Sequence, residues 1–151
     1  MKVIVLKGEN DSGKTQTLKI VYVLLLKEGY KQADSNNFQY LDGNGDFIDI
    51  LEFKGKKIGI VTQGDYSEGE NSVKNHLKKL KDYDHNCGCD IAICACTIGK
   101  NIEKTILEDY PKARSIDKTT NEKVSLRLIE NTQKAMEIIK ILNDWLSNAT
   151  E

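Results

Sequence analysis

The chain has 151 residues, of which 39% are hydrophobic and 30% charged, and its formal net charge is −1. That length and apolar content suffice for a compact domain with a real core. The near-neutral balance gives no reason to expect general affinity for nucleic acid or for a membrane surface. With a single proline and no low-complexity tract there is no linker, so residues 1–151 are expected to form one domain. The apolar run at residues 3–6 is too short for a secretory signal, and the run at residues 20–26 is too short to span a bilayer. A cytoplasmic protein with four reduced cysteines is the expectation. The glycosylation triplets Asn10-Asp11-Ser12 and Asn148-Ala149-Thr150 then carry no meaning.

In chain order, residues 2–7 read as a strand that runs into Gly8-Glu9-Asn10-Asp11-Ser12-Gly13-Lys14-Thr15. This is G-x-x-x-x-G-K-[ST] without departure, placed after a strand and before a helix spanning residues 14–28 that Gly29 ends. The context matters because the glycines let the backbone curl around a phosphate. Successive N–H groups then point inward, and the helix N-terminus adds its positive end. Gly8, Asn10, Asp11, Ser12, Gly13, Lys14, Thr15 and Gln16 are the expected phosphate-binding residues. Lys14 is expected to reach the β and γ phosphates, and the Thr15 hydroxyl to hold Mg²⁺.

A polar segment, residues 31–37, precedes three extended pieces at 38–41, 47–53 and 57–62. The break Lys54-Gly55-Lys56 makes the last two an antiparallel hairpin. Residues 42–52 imitate a calcium loop, with Asp42, Asn44 and Asp46 at alternate positions. The glycine that should follow Asp46 is missing and the flanks are strand-like, so a hairpin turn is expected instead. Phe38 and Tyr40 are expected to be strand packing. A helix follows at residues 70–81, with Val73, Leu77 and Leu80 on one face and His76 taken as solvated. Residues 89–96 read as a buried strand, with Cys94 and Cys96 on the same sheet face. The set His85, Cys87, Cys89 has spacings too tight for a good zinc cage, which favours free or packed thiols.

A helix at residues 101–110 and a short strand at 114–117 lead to a closing helix at about 120–147. Its apolar stripe is Val124, Leu128, Ala135, Ile138, Ile139, Leu142 and Trp145, and Thr119 with Glu122 fits a capping box. Alternating strands and helices predict an α/β fold, a three-layer α/β/α domain whose mainly parallel sheet carries one antiparallel hairpin strand. Ligands in such sheets sit beyond the carboxyl ends of the strands, which draws attention to Lys100 and to Lys118, Thr119 and Thr120.

The motif and the element order resemble the P-loop nucleoside-triphosphate hydrolase superfamily. The specific likeness covers Gly8–Thr15, and the strand–helix order extends it loosely over most of the chain. The hairpin is similar to that of small GTPases, where an antiparallel strand pairs with the one ending at the Mg²⁺ site. No Asn-Lys-x-Asp, Leu-Ser-Gly-Gly-Gln or Asp-Arg-x-x-Arg motif occurs. The resemblance implies Mg²⁺ as cofactor and ATP, or GTP, as ligand, with hydrolysis or transfer of the γ-phosphate to a small-molecule acceptor. The other implied classes are a small-molecule or nucleotide kinase and a non-catalytic switch or adaptor with a protein partner. The acid expected after an apolar strand is Asp65, in Ile58-Gly59-Ile60-Val61-Thr62-Gln63-Gly64-Asp65. It would serve Mg²⁺ and catalysis together with Lys14 and Thr15, with Thr62 as the substitute. The competing reading makes Gly64-Asp65 a turn. Glu68 and Glu70 follow it, either to orient a water or to sit at the start of the next helix. Only Arg114 and Arg127 are arginines, a scarcity that bears on transition-state charge.

Overall fold

A computed structural model describes residues 1–41 and 45–148. The expected calcium-like turn at Asp42, Gly43 and Asn44 lies outside the described residues, as do the last two positions of the triplet ending at Thr150. The described elements are β1 (Lys2–Gly8), α1 (Lys14–Lys27), β2 (Lys31–Gln32), a 3₁₀ turn (Ser35–Asn37), β3 (Gln39–Tyr40), β4 (Phe47–Phe53), β5 (Lys56–Val61), α2 (Val73–Asn86), β6 (Ile91–Thr97), α3 (Ile102–Asp109), β7 (Arg114–Asp117) and α4 (Val124–Asn148).

The fold is mixed α/β, with a seven-stranded sheet in the order β2-β4-β5-β6-β1-β7 and β3 also pairing with β4. The segment from β5 to β7 is parallel throughout, whereas β4 runs antiparallel to β5 in the register Ile48↔Val61. Parallel strands covered on both faces need continuous apolar runs, and β1 and β6 have them. Alternation then divides the side chains. Ile4 and Leu6 of β1, with Ile91 and Ile93 of β6, face α1 and α4. Val3 and Val5, with Ala92, Cys94 and Cys96, face α2 and α3. Full burial of each large aliphatic side chain contributes about 1.5–3 kcal/mol, so the two cores hold the helices on opposite faces. Because α1 follows β1 on one face and α3 follows β6 on the other, the connections part between the carboxyl ends of these neighbouring strands. That crevice is the place where an open α/β sheet receives a ligand.

Several local expectations differ. The second helix begins at Val73 rather than at residue 70, because the Ser72 hydroxyl caps it by accepting from Asn75 N. Its regular part ends before Tyr83, since Asp84 and His85 adopt left-handed backbone. His76, expected in solvent, is 0% exposed; it lies on the same stripe as Val73, Leu77 and Leu80. The closing helix starts at Val124 rather than near residue 120, and the Asn121 side chain, not a Thr119–Glu122 box, accepts from Lys123 N. Val124 and Leu128, expected in its buried stripe, are 72% and 68% exposed; the buried residues of α4 begin at Asn131. The polar segment after α1 contains the two-residue β2 and the 3₁₀ turn. Phe38 packs on Phe47 with ring centroids 5.1 Å apart, and Tyr40 meets Phe38 edge-on.

Candidate functional site

The loop after β1 is shaped by its backbone. Asp11 and Gly13 both have positive φ, at 59° and 91°, with Ser12 between them. An alternation of this kind turns successive amides to one side. Gly13 caps α1 in the left-handed region and no side chain caps that end. The amides of the first helical turn therefore have no intrahelical acceptor and no side-chain competitor.

Two lysines tie the loop's carbonyls. Lys14, 7% exposed, donates from Nζ to Gly8 O at 3.0 Å, Glu9 O at 2.6 Å and Ser12 Oγ at 3.4 Å. Lys118, 4% exposed, comes from the segment after β7 and donates to Ser12 O at 2.8 Å and Thr119 O at 2.6 Å. A trans peptide holds its C=O and the next N–H on opposite sides. The grip of Lys118 on Ser12 O thus turns the Gly13 N–H to the other side of the loop. Burial lowers the pKa of both lysines.

A cavity of about 540 Å³ opens there, lined by Asn10, Asp11, Ser12, Gly13, Lys14, Thr15, Gln16, Asp46, Thr62, Gly64 and Asp65. Every residue expected to bind phosphate lines it except Gly8, which sits beneath as an acceptor for Lys14. Gly8 instead lines a neighbouring cavity of about 480 Å³ with Lys7, Ile98, Asp117, Lys118, Thr119 and Thr120.

The acids divide. Asp46, 6% exposed, receives hydrogen bonds at Oδ1 from Thr15 Oγ1 at 3.1 Å and Thr62 Oγ1 at 2.8 Å. The antiparallel pairing of β4 with β5 brings Asp46 against Thr62, and Thr62 Oγ1 also accepts from Phe47 N at 2.9 Å. Asp65 stands elsewhere on the cavity wall. Its Oδ1 accepts from Thr97 Oγ1 at 2.6 Å, and its backbone O accepts from Lys100 Nζ at 3.3 Å. Gly64 makes this possible. A Cβ there would lie 2.5 Å from the Ala95 backbone, so only glycine lets the chain cross the end of β6, where Gly64 O accepts from Thr97 N at 2.9 Å. Glu68 and Glu70 are exposed and do not line this cavity.

Asp46 is the member that the sequence left in a hairpin turn. Its neighbours Thr15 and Thr62 are 31 and 16 residues away, and no local spacing signals the meeting. Beneath the cavity floor, His76 Nε2 donates to Gln63 Oε1 at 3.1 Å, and burial with the nearby Lys79 charge pushes its pKa down to about 4. Among the described residues no thiol lines this cavity. Cys87 is exposed while Cys89, Cys94 and Cys96 are buried, and burial raises Cys89 to about 12 and Cys96 to about 11. Among the described residues no three His, Cys, Asp or Glu side chains gather to hold a metal ion. A hard cation bound here would have to combine a carboxylate with hydroxyl, water or ligand oxygens.

The arrangement can therefore offer amides and an ammonium group to an oxyanion. It can also offer the Thr15 hydroxyl, its proton turned to Asp46, to a hard divalent cation. No protein-family model, no curated protein and no solved structure matches the chain. Among the described residues no helix is long and apolar enough to cross a membrane.

Proposed function

We propose that this protein is a P-loop nucleoside-triphosphatase that binds ATP with Mg²⁺ and hydrolyses its γ-phosphate. The observation that carries the reading is that Asn10–Thr15 of the motif loop line the 540 Å³ cavity together with the carboxylates Asp46, bonded to Thr15, and Asp65. A chance motif match would have no reason to share a cavity at the carboxyl end of the sheet with two acids, one of them bonded to its threonine.

Mg²⁺ fits the residues present. Thr15 Oγ1 gives its proton to Asp46, so its lone pairs remain for a metal, and hard oxygens are what Mg²⁺ prefers. Thr15 would hold the ion, with Asp46 beside it and Asp65 within the same cavity. The ion supplies charge neutralisation to the β and γ phosphates. Loop amides hold the phosphate chain, and Lys14 leaves the Gly8 and Glu9 carbonyls for phosphate oxygens. Asp65, its orientation fixed by Thr97, positions a water for in-line attack. The bond from γ-phosphorus to the bridging oxygen breaks and its electron pair stays on ADP. The water oxygen bonds to phosphorus, and the water's proton passes to the product phosphate or to solvent. The adjoining cavity beside Lys118 and Thr120 suits the nucleoside end.

The test is calorimetric titration of the full chain with ATP, with and without Mg²⁺, followed by phosphate release. Micromolar binding, strengthened by Mg²⁺ and followed by ADP and phosphate in equal amounts, is the expected result. Absence of nucleotide binding at millimolar concentration overturns the reading.

A further inference from the structure

We propose that Lys100, on the loop between β6 and α3, is the second cation of the phosphate cavity and acts on the γ-phosphoryl oxygens as the phosphorus–oxygen bond breaks. This deepens the function proposed above and rests on it. Phosphoryl transfer spreads charge over three equatorial oxygens, and catalysis comes mostly from positive groups already in place to meet it. Lys14 is one such group. A guanidinium often supplies another, yet neither arginine of this chain is placed to do so. Arg114 opens β7 beside Ile4, well before the strand's carboxyl end. Arg127 is exposed on α4, its Nε donating to Asn121 O at 2.9 Å.

Lys118 and Lys7 are committed to partners, and Lys19 stands outside the cavity lining. Lys118 holds Ser12 O and Thr119 O, and Lys7 pairs with Glu103 and Asp117. Lys19 lies one helical turn beyond Thr15 with its Nζ beside Gly45, and it lines a different cavity, with Ile20 and Leu128. Lys100 differs from all of them. Its exposed ammonium is held by one long hydrogen bond, 3.3 Å to the backbone O of Asp65, a residue of the cavity lining. Among the described residues no carboxylate forms an ion pair with it. Gly99 and Asn101, with φ of 84° and 63°, flank it in left-handed backbone. Between two such residues the loop carries the Lys100 ammonium to the Asp65 carbonyl. The positive charge of Lys100 also contributes to the lowered pKa of Lys14, which places the two ammonium groups within electrostatic reach. A triphosphate between them offers Lys100 a better acceptor than a distant carbonyl.

In the reaction Lys100 keeps all its protons. Water adds to γ-phosphorus, ADP leaves with the bridging electron pair, one proton goes to product phosphate or solvent, and the lysine contributes charge alone.

The experiment compares the full-length chain with Lys100→Ala and Lys100→Arg in magnesium buffer. It measures affinity for ADP alone, affinity for ADP with aluminium fluoride as a planar mimic of the moving phosphoryl group, and steady-state turnover. In Lys100→Ala, affinity for the fluoride complex and kcat each fall on the order of 100-fold, while ADP affinity and KM stay within about threefold. Lys100→Arg recovers most of both. An unchanged fluoride-complex affinity and kcat in a Lys100→Ala protein that binds ADP normally overturns the role of Lys100 and leaves the nucleotide reading standing. An equal loss of ADP and fluoride-complex affinity makes Lys100 a structural or ground-state residue and also overturns it. A wild-type chain that binds no nucleotide removes the underlying reading and this inference together.

Discussion

Replacing Asp46 by Asn separates the two acids of the cavity. The side chain keeps its volume and an oxygen able to accept from Thr15 and Thr62, whose donors now lie 3.1 and 2.8 Å away. What disappears is the negative charge. Hydrogen bonds to a charged acceptor contribute about 1.5–3 kcal/mol and neutral ones about 0.5–1.5, so each of the two weakens by about 1 kcal/mol. Asp46 is nearly buried, and a neutral amide costs less to desolvate than a carboxylate. The two effects oppose each other, and the expected net loss is about 1 kcal/mol, or about 2–4 °C in Tm for a chain of this size. The functional loss is larger. Removing a carboxylate that orients a metal ligand costs about 10–100-fold in metal affinity, equivalent to about 1.4–2.7 kcal/mol. Titrating Mg²⁺ into ATP and protein, with a chelator arm for the metal-free affinity, measures it directly. Asp46→Asn should move the Mg²⁺ midpoint by that factor and leave metal-free binding within about threefold. Asp65→Asn should weaken Mg²⁺-dependent activity more than metal-free binding, with a smaller midpoint shift, because Asp65 bonds Thr97 rather than Thr15. An unmoved midpoint in Asp46→Asn would refute the metal role and leave Asp46 as a tie between α1 and β5. A larger shift in Asp65→Asn would pass that role to Asp65.

Lys14→Ala should weaken triphosphate binding at least about 100-fold, as loss of charge-assisted bonds to phosphate implies, while circular dichroism shows the fold intact; normal affinity in the folded variant refutes this. Gly64→Ala should destabilise the protein by about 1–3 kcal/mol through overpacking, because its Cβ meets the Ala95 backbone at 2.5 Å; an unchanged urea midpoint counts against that contact. His76 titrates near 4 when folded and near its ordinary 6.5 when unfolded, so the unfolded chain binds the extra proton between those values. Its contribution is full above pH 6.5 and is lost as pH falls toward 4, by up to about 3 kcal/mol; the wild-type stability slope between pH 5 and 7 should flatten in His76→Phe, and a slope of equal size in both refutes the assignment. Competition between ATP and GTP should favour ATP or leave the two within about 100-fold, or 2.7 kcal/mol, because the sequence holds no Asn-Lys-x-Asp to read guanine; a stronger preference for GTP would reveal a guanine-reading contact near residues 117–121.

The parallel half of the sheet was legible because burial on both faces writes itself as unbroken apolar runs, as at Val3–Leu6 and Ile91–Cys96. The phosphate-type loop was legible because its geometry demands fixed residues at fixed spacing. Asp46 was not, since Thr62 meets it through the pairing of β4 with β5 and Thr15 meets it from the start of α1. The two residues of β2 are too few to show a period. His76 could have been found, for 73, 76, 77 and 80 form one helical stripe and the single polar member was read by its chemistry instead of its position. Val124 and Leu128 failed in the opposite sense. Their spacing continues the stripe of α4, but burial depends on a facing surface, which periodicity does not report.

The placement of β1 gives the cavity two walls of unequal firmness. β1 is bonded on both sides, to β6 and to β7, so the loop Gly8–Thr15 grows from backbone that opens only with the body of the sheet. Asp46 precedes β4, whose outer side pairs with the short strands β2 and β3 at the margin of the sheet, where Ile50 O accepts from Ala33 N and Asp46 O from Leu41 N. Amide exchange in such a sheet is slowest where pairing is complete and fastest at lightly covered margins. Slower amide exchange is therefore expected in the strand that carries the loop Gly8–Thr15 than in the margin that carries Asp46. Under the function proposed above, any closing around the nucleotide would fall to the side of Asp46, with the loop Gly8–Thr15 as the fixed jaw.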